Sequence, residues 1–218
     1  MIKFLEKLLS IIYIQPCYFC KSIKDDSIIC RKCYAKIHFM PSAVLSEYLD
    51  SKIYACCLYD DVIKHLILDF KYHNKKILAK LFAKIMYEYM NELNLDKEYI
   101  ILPVPISKQR RKERKYNHMD LAADELTKLT GWKNNKNIVI RIKDTEKQYK
   151  LHKQERVKNI TGAFDVKNKN EIPADTPLLV IDDITSTGIT LREIIKTLNN
   201  NGYKNITAIT LATPDIWN

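Results

Sequence analysis

The stretch from Leu178 to Thr190 constrains the fold of this chain more than any other. An apolar run, Leu178–Ile181, meets two acids, Asp182 and Asp183. Ile184 follows, and then Thr185, Ser186, Thr187 and Thr190 place four hydroxyls around Gly188 and Ile189. A short apolar, β-rich run before polar residues reads as a buried strand, and Leu191–Asn200 reads as a helix. A buried strand that feeds a helix through a small-residue loop belongs to an α/β sheet, where ligands sit beyond the carboxyl ends of the strands.

The chemistry of this loop suits a sugar phosphate. Backbone N–H groups and a helix N-terminus attract an anion. The hydroxyls add donors, and Gly188 permits close backbone approach. Two carboxylates at the strand end can accept hydrogen bonds from vicinal ribose hydroxyls. One N-cap would need one hydroxyl residue, not four with two acids. The loop lacks the Gly-Lys-Ser/Thr of a Walker A loop and the G-x-G-x-x-G of a dinucleotide site.

Periodicity extends the α/β reading along the chain. It predicts strands at Ile53–Tyr59, Tyr99–Val104 and Ile206–Leu211. It predicts helices at residues 2–14, Asp61–Leu68, Ile77–Leu93 and Asp120–Leu129, the last ended by Gly131. Alternating strands and helices imply a largely parallel sheet. Pro41 and Ser42 divide the chain into residues 1–41, an amphipathic helix with a cysteine knuckle, and residues 42–218, the α/β domain.

In the first part, Cys17-x-x-Cys20 and Cys30-x-x-Cys33 offer four thiolates on tight turns, a ligand set for a structural zinc ion. Free buried thiols would need a core that this segment lacks, and disulfides do not suit a reducing cytosol. Cys56 and Cys57 fall in a strand pattern and read as small core residues.

The net charge is +10 over 218 residues, and its distribution says more than its total. Residues 103–160 hold 16 Lys/Arg against 7 Asp/Glu. The run Lys108, Arg110, Arg111, Lys112, Arg114 and Lys115 puts six cations in eight residues. Such a segment either meets phosphate-bearing partners or is a solvated face. Tyr116 and Tyr149 could stack on bases or fill a core. Composition is ordinarily globular, at 46% hydrophobic and 28% charged. No apolar run approaches a membrane span, and residues 2–14 make a poor signal peptide. The expected location is the cytoplasm.

Ile181–Thr190 resembles the 5-phosphoribosyl 1-diphosphate (PRPP) loop of type I phosphoribosyltransferases. More widely, the chain resembles the ComF family of competence proteins, ComFC type, over nearly its whole length. The likeness is carried by the four-cysteine knuckle, Phe70-Lys71-Tyr72, Pro103-Val104-Pro105 and Arg114–His118. It is carried also by Gln148, Arg156, Asn159, Gly162-Ala163-Phe164 and the loop itself. Lys115 stands where the pattern has Gly, His118 where it has Gln, and Thr185 where it has an apolar residue.

The resemblance implies a type I phosphoribosyltransferase-like fold. It places the ribose hydroxyls on Asp182 and Asp183, and the 5-phosphate on Thr185, Ser186, Thr187, Gly188, Ile189 and Thr190, with Ile184 also in the PRPP site. The diphosphate falls to the loop Val104, Pro105, Ile106 and Ser107. Arg114 and Lys71 are the cations expected to stabilise it as it leaves, although either could be a surface charge or part of a salt bridge, Lys71 as readily as not. Mg2+ would come with PRPP, held mainly by the ligand's own oxygens.

The implied role is natural transformation: handling imported single-stranded DNA on the cytoplasmic side, with a helicase or recombination mediator as partner. Lys108, Arg110, Arg111, Lys112 and Lys115 would form the DNA contact. The alternatives are a genuine phosphoribosyltransferase of nucleobase or nucleotide metabolism, and a non-catalytic DNA-binding module regulated by PRPP. His118, at a helix start, is expected to face solvent, and the residue 2–14 helix to pack on its own domain rather than enter a membrane.

Overall fold

A computed structural model describes residues 16–22, 27–143 and 159–214. The helix expected at residues 2–14, and Gln148, Tyr149 and Arg156, lie outside the described residues. The chain opens with the cysteine knuckle and a short helix, α1 (Arg31–Tyr34). It continues through β1 (Ser46–Tyr48), β2 (Ser51–Leu58), α2 (Asp61–Tyr72), α3 (Leu78–Glu92), β3 (Ile100–Pro103), α4 (Lys108–Arg114) and α5 (His118–Thr130). A hairpin of β4 (Val139–Arg141) and β5 (Phe164–Val166) precedes β6 (Leu178–Ile184), α6 (Ile189–Asn200) and β7 (Ile206–Thr213).

Five strands form one sheet in the order β1-β2-β7-β6-β3. Every pairing from β2 to β3 is parallel, and only the edge strand β1 runs antiparallel. Strands of such a sheet are buried on both faces, which is why they read as continuous apolar runs. In β6, Leu179 and Ile181 pack with helices α2, α3 and α5, whereas Leu178 and Val180 pack with α6 and the hairpin.

The knuckle joins the first of these cores: Cys17, Ile29, Cys30, Cys33 and Ile37 are buried in the same apolar cluster as α2 and α3. Its exit is tied to β2 by the Met40 amide on the Cys56 carbonyl at 2.8 Å. Cys56 and Cys57 are fully buried in the core.

Two expectations are corrected, and one element is added. The acid pair does not follow β6 but lies within it, because the strand stays paired with β7 as far as Ile184. Helix α2 runs to Tyr72 rather than Leu68, since Phe70 continues its apolar stripe and is fully buried. The basic run is itself a helix, capped by the Ser107 hydroxyl accepting from the Arg110 amide at 3.2 Å.

Candidate phosphoribosyl site

Parallel topology gathers the carboxyl ends of β3 and β6 at one edge, and the site is built there. The Val104 amide donates to the Ile181 carbonyl at 3.0 Å, so the loop after β3 lies against β6 just before the acid pair. Asn117 caps α5 through the Met119 amide and donates to the Val104 carbonyl at 3.1 Å, drawing the start of α5 onto the same loop. The result is a cleft of about 280 Å3.

Of the residues expected for PRPP, Lys71, Val104, Pro105, Ile106, Arg114, Asp182, Asp183, Ile184, Ser186 and Thr190 line this cleft, and Arg110, expected on a DNA surface, lines it too. Ser107 is buried in its capping bond. Thr185 is buried, with its amide on the Ala212 carbonyl. Thr187, Gly188 and Ile189 complete the turn without lining the cleft, and Gly188 enters α6 at φ 69°, a left-handed conformation suited to glycine. The N-cap of α6 is Gly188, which has no side chain to cap it, and Ser186 and Thr190 flank this turn and line the cleft.

Four lining residues carry no role in the sequence reading: Tyr72, His118, Met119 and Arg141. His118 overturns its expectation outright. It is 2% exposed, not solvent-facing. A signal for this was present, because His118, Met119, Ala122, Ala123 and Leu126 form one helical stripe, all buried.

The acids differ in their partners. Asp183 is ion-paired with Lys71 Nζ at 2.8 Å and bonded to His118 Nε2. Burial alone would raise its pKa, but the Lys71 charge and the His118 bond outweigh burial and hold it well below the usual carboxylate range. Asp182 accepts from the Asp183 amide at 2.8 Å and is pushed up to about 7 by burial and by the Asp183 charge, with Lys71 and Arg110 opposing. Lys71 thus lines the cleft while forming a salt bridge, which was one of the alternatives to its expected role.

Arg114 stacks over the Tyr72 ring, 4.9 Å from its centroid, and its Nη1 faces His118 Nδ1 at 3.3 Å. The cations of α4 divide by face. Arg110 and Arg114 turn into the cleft, whereas Lys108, Arg111, Lys112 and Lys115 are exposed outside it. Tyr116 is half-buried, with its hydroxyl on the Phe70 carbonyl at 2.7 Å and Lys76 over its ring, so it braces α2 and is not free to stack on a base.

The knuckle forms a second site. The sulfurs of Cys17, Cys20, Cys30 and Cys33 all lie within 4.8 Å of one another, and those of Cys20 and Cys30 are 3.7 Å apart. Thiolates bound tetrahedrally at ~2.3 Å stand about 3.8 Å apart, so the set is spaced to hold a metal ion such as zinc.

Residues 119–215 match the phosphoribosyl transferase domain family. Competence protein F of Haemophilus influenzae is 33% identical over 153 residues, covering 68% of this chain and 66% of that protein. Competence protein ComFC of Bacillus subtilis is 26% identical over 187 residues, covering 85% of this chain and 72% of that protein. The chain belongs to the ComF family of competence proteins.

A solved adenine phosphoribosyl transferase from Trypanosoma brucei, in complex with AMP, pyrophosphate and ribose-5-phosphate, is 11% identical with a TM-score of 0.40, covering 87% of this chain and 81% of that one. The fold assignment for this ComF-family chain rests instead on the domain match and the parallel sheet.

Proposed function

We propose that this ComF-family protein binds PRPP in the cleft between β3 and β6 and serves DNA uptake by handling imported single-stranded DNA on the cytoplasmic side. The observation that carries the reading is that one cleft is lined both by two carboxylates from β6, Asp182 and Asp183, and by two arginines from α4, Arg110 and Arg114. A ribose hydroxyl can donate to Asp182. The 5-phosphate meets the N-terminus of α6, whose cap residue is Gly188, with the Ser186 and Thr190 hydroxyls. The diphosphate meets the arginines, which stabilise its growing charge as the bond to C1 breaks.

Among the described residues the four cysteines are the one group able to hold a metal with three or more ligands. Mg2+ would therefore enter with PRPP on the ligand's own phosphate oxygens, where it neutralises diphosphate charge. Zinc in the knuckle would have a structural role, since four thiolates leave no open coordination position. Outside the cleft, the exposed cations of α4 would bind a DNA backbone without regard to sequence.

Calorimetric titration with PRPP and Mg2+ tests the ligand assignment. Asp182→Asn keeps an acceptor for the Asp183 amide but loses the charge-assisted bond to ribose. It should weaken binding about tenfold or more, the equivalent of ~1.5 kcal/mol. Equal affinity in the two proteins would refute the assignment of Asp182. Diphosphate release in the presence of a candidate acceptor would mark the protein as a genuine transferase.

A further inference from the structure

His118 links an acid of β6, Asp183, to a cation of α4, Arg114. Its ring is buried at the start of α5, with the Phe70 ring edge-on at 5.5 Å. Its Nε2 bonds to the Asp183 carboxylate, and its Nδ1 faces Arg114 Nη1 at 3.3 Å. The charged groups that face it are Lys71 from α2, Arg114 from α4 and Asp183 from β6. Burial lowers the imidazole pKa, Asp183 opposes, and the two cations add to the lowering.

A guanidinium has only donors, so an imidazole nitrogen bonded to it must accept. The ring is then neutral, with Nδ1 the acceptor and Nε2–H the donor to Asp183. One side chain thus sets two others. Asp183, also paired with Lys71, is held in a single orientation, and Arg114 is held between His118 and the Tyr72 hydroxyl at 3.3 Å.

We propose that His118 is a positioning residue that, through one fixed donor and one fixed acceptor, holds Asp183, the neighbour of the ribose acceptor Asp182, in register with the cation facing the leaving group. The inference rests on reading the cleft as a ribose-phosphate site. His118 itself touches neither ligand part; it acts through Asp183 and Arg114.

Glutamine also offers one donor and one acceptor, whereas leucine fills the space with neither. The test uses the full chain as wild type, His118→Gln and His118→Leu, titrated separately with ribose 5-phosphate and with inorganic phosphate. His118→Leu should lose about tenfold or more in affinity for ribose 5-phosphate, while phosphate binding at the α6 N-terminus stays within about twofold. His118→Gln should stay within about threefold for both ligands. A merely structural role would lower both affinities together and would not be rescued by glutamine.

Nitrogen-15 NMR of the wild type at neutral pH supplies a measurement independent of any variant's folding. It should show His118 neutral, with the proton on Nε2. Equal losses in the Gln and Leu variants, or a proton on Nδ1, would overturn the inference while leaving the ligand site standing. A wild type that binds no ribose 5-phosphate would remove the ligand site and this inference with it.

Discussion

Asp182 and Asp183, adjacent in sequence, carry opposite consequences for stability. The folded pKa of Asp182 is raised to about 7, so its protonated form favours the native state. That contribution is complete below the unfolded value of ~3.9 and is lost as pH rises through 7. Asp183, whose folded pKa is depressed, contributes stability above ~3.9 that is lost as pH falls. Asp182→Asn should therefore stabilise the protein by ~1–2 kcal/mol at pH 8 and leave it nearly unchanged at pH 4. Urea unfolding at the two pH values measures this, and equal stability of Asp182→Asn and wild type at pH 8 would contradict it. The residue types of this site were legible in sequence, because two acids, four hydroxyls and a glycine in one loop have few other uses. Their partners were not. Nothing local announces that Asp183 is bonded to His118, 65 residues away, or that Arg141 reaches the same cleft from the hairpin.

Helix α4 shows what an element adds to a charge count. Its run of cations was plain in sequence, but only a helix sends Arg110 and Arg114, four residues apart, to one side. Arg111 and Lys112 face outward, and Arg111 makes only a long 3.5 Å pair with Asp120. Reversing Arg111 and Lys112 to Glu should weaken single-stranded DNA binding for every sequence. The slope of log affinity against log salt should shrink by about 1.4, with PRPP binding retained. An unchanged slope would remove α4 from the DNA surface. The helix ends at Lys115, whose φ of 66° is left-handed and costs a side chain with a Cβ. Lys115→Gly should raise stability by ~1 kcal/mol, read as a shift in the urea midpoint; no shift would mean that Lys115 offsets its strain through contacts of its own. The main strands and helices were legible because each carries a strong period or apolar run. The short β4 and β5 were missed because three residues carry no readable alternation.

At the scale of the whole molecule, the knuckle and the α/β domain share one apolar cluster, so a metal held by the four cysteines should stabilise the protein throughout. Purified protein is expected to contain about one zinc ion per chain. Chelation should lower the melting temperature by roughly 5 °C or more; a metal-free protein with unchanged melting would contradict the zinc assignment. The spacing of the cysteines made the ligand set legible, whereas the continuity of its core with α2 and α3 depends on contacts between distant segments. The central claim is that PRPP lies across the cleft with its sugar on the β6 acids. A crystal structure with PRPP and Mg2+ bound tests it most directly. The 5-phosphate is expected against the backbone of residues 186–190, a ribose hydroxyl on Asp182, and the diphosphate beside Arg110 and Arg114. PRPP bound elsewhere, or with its diphosphate on the 186–190 turn and its ribose away from Asp182, would contradict the account.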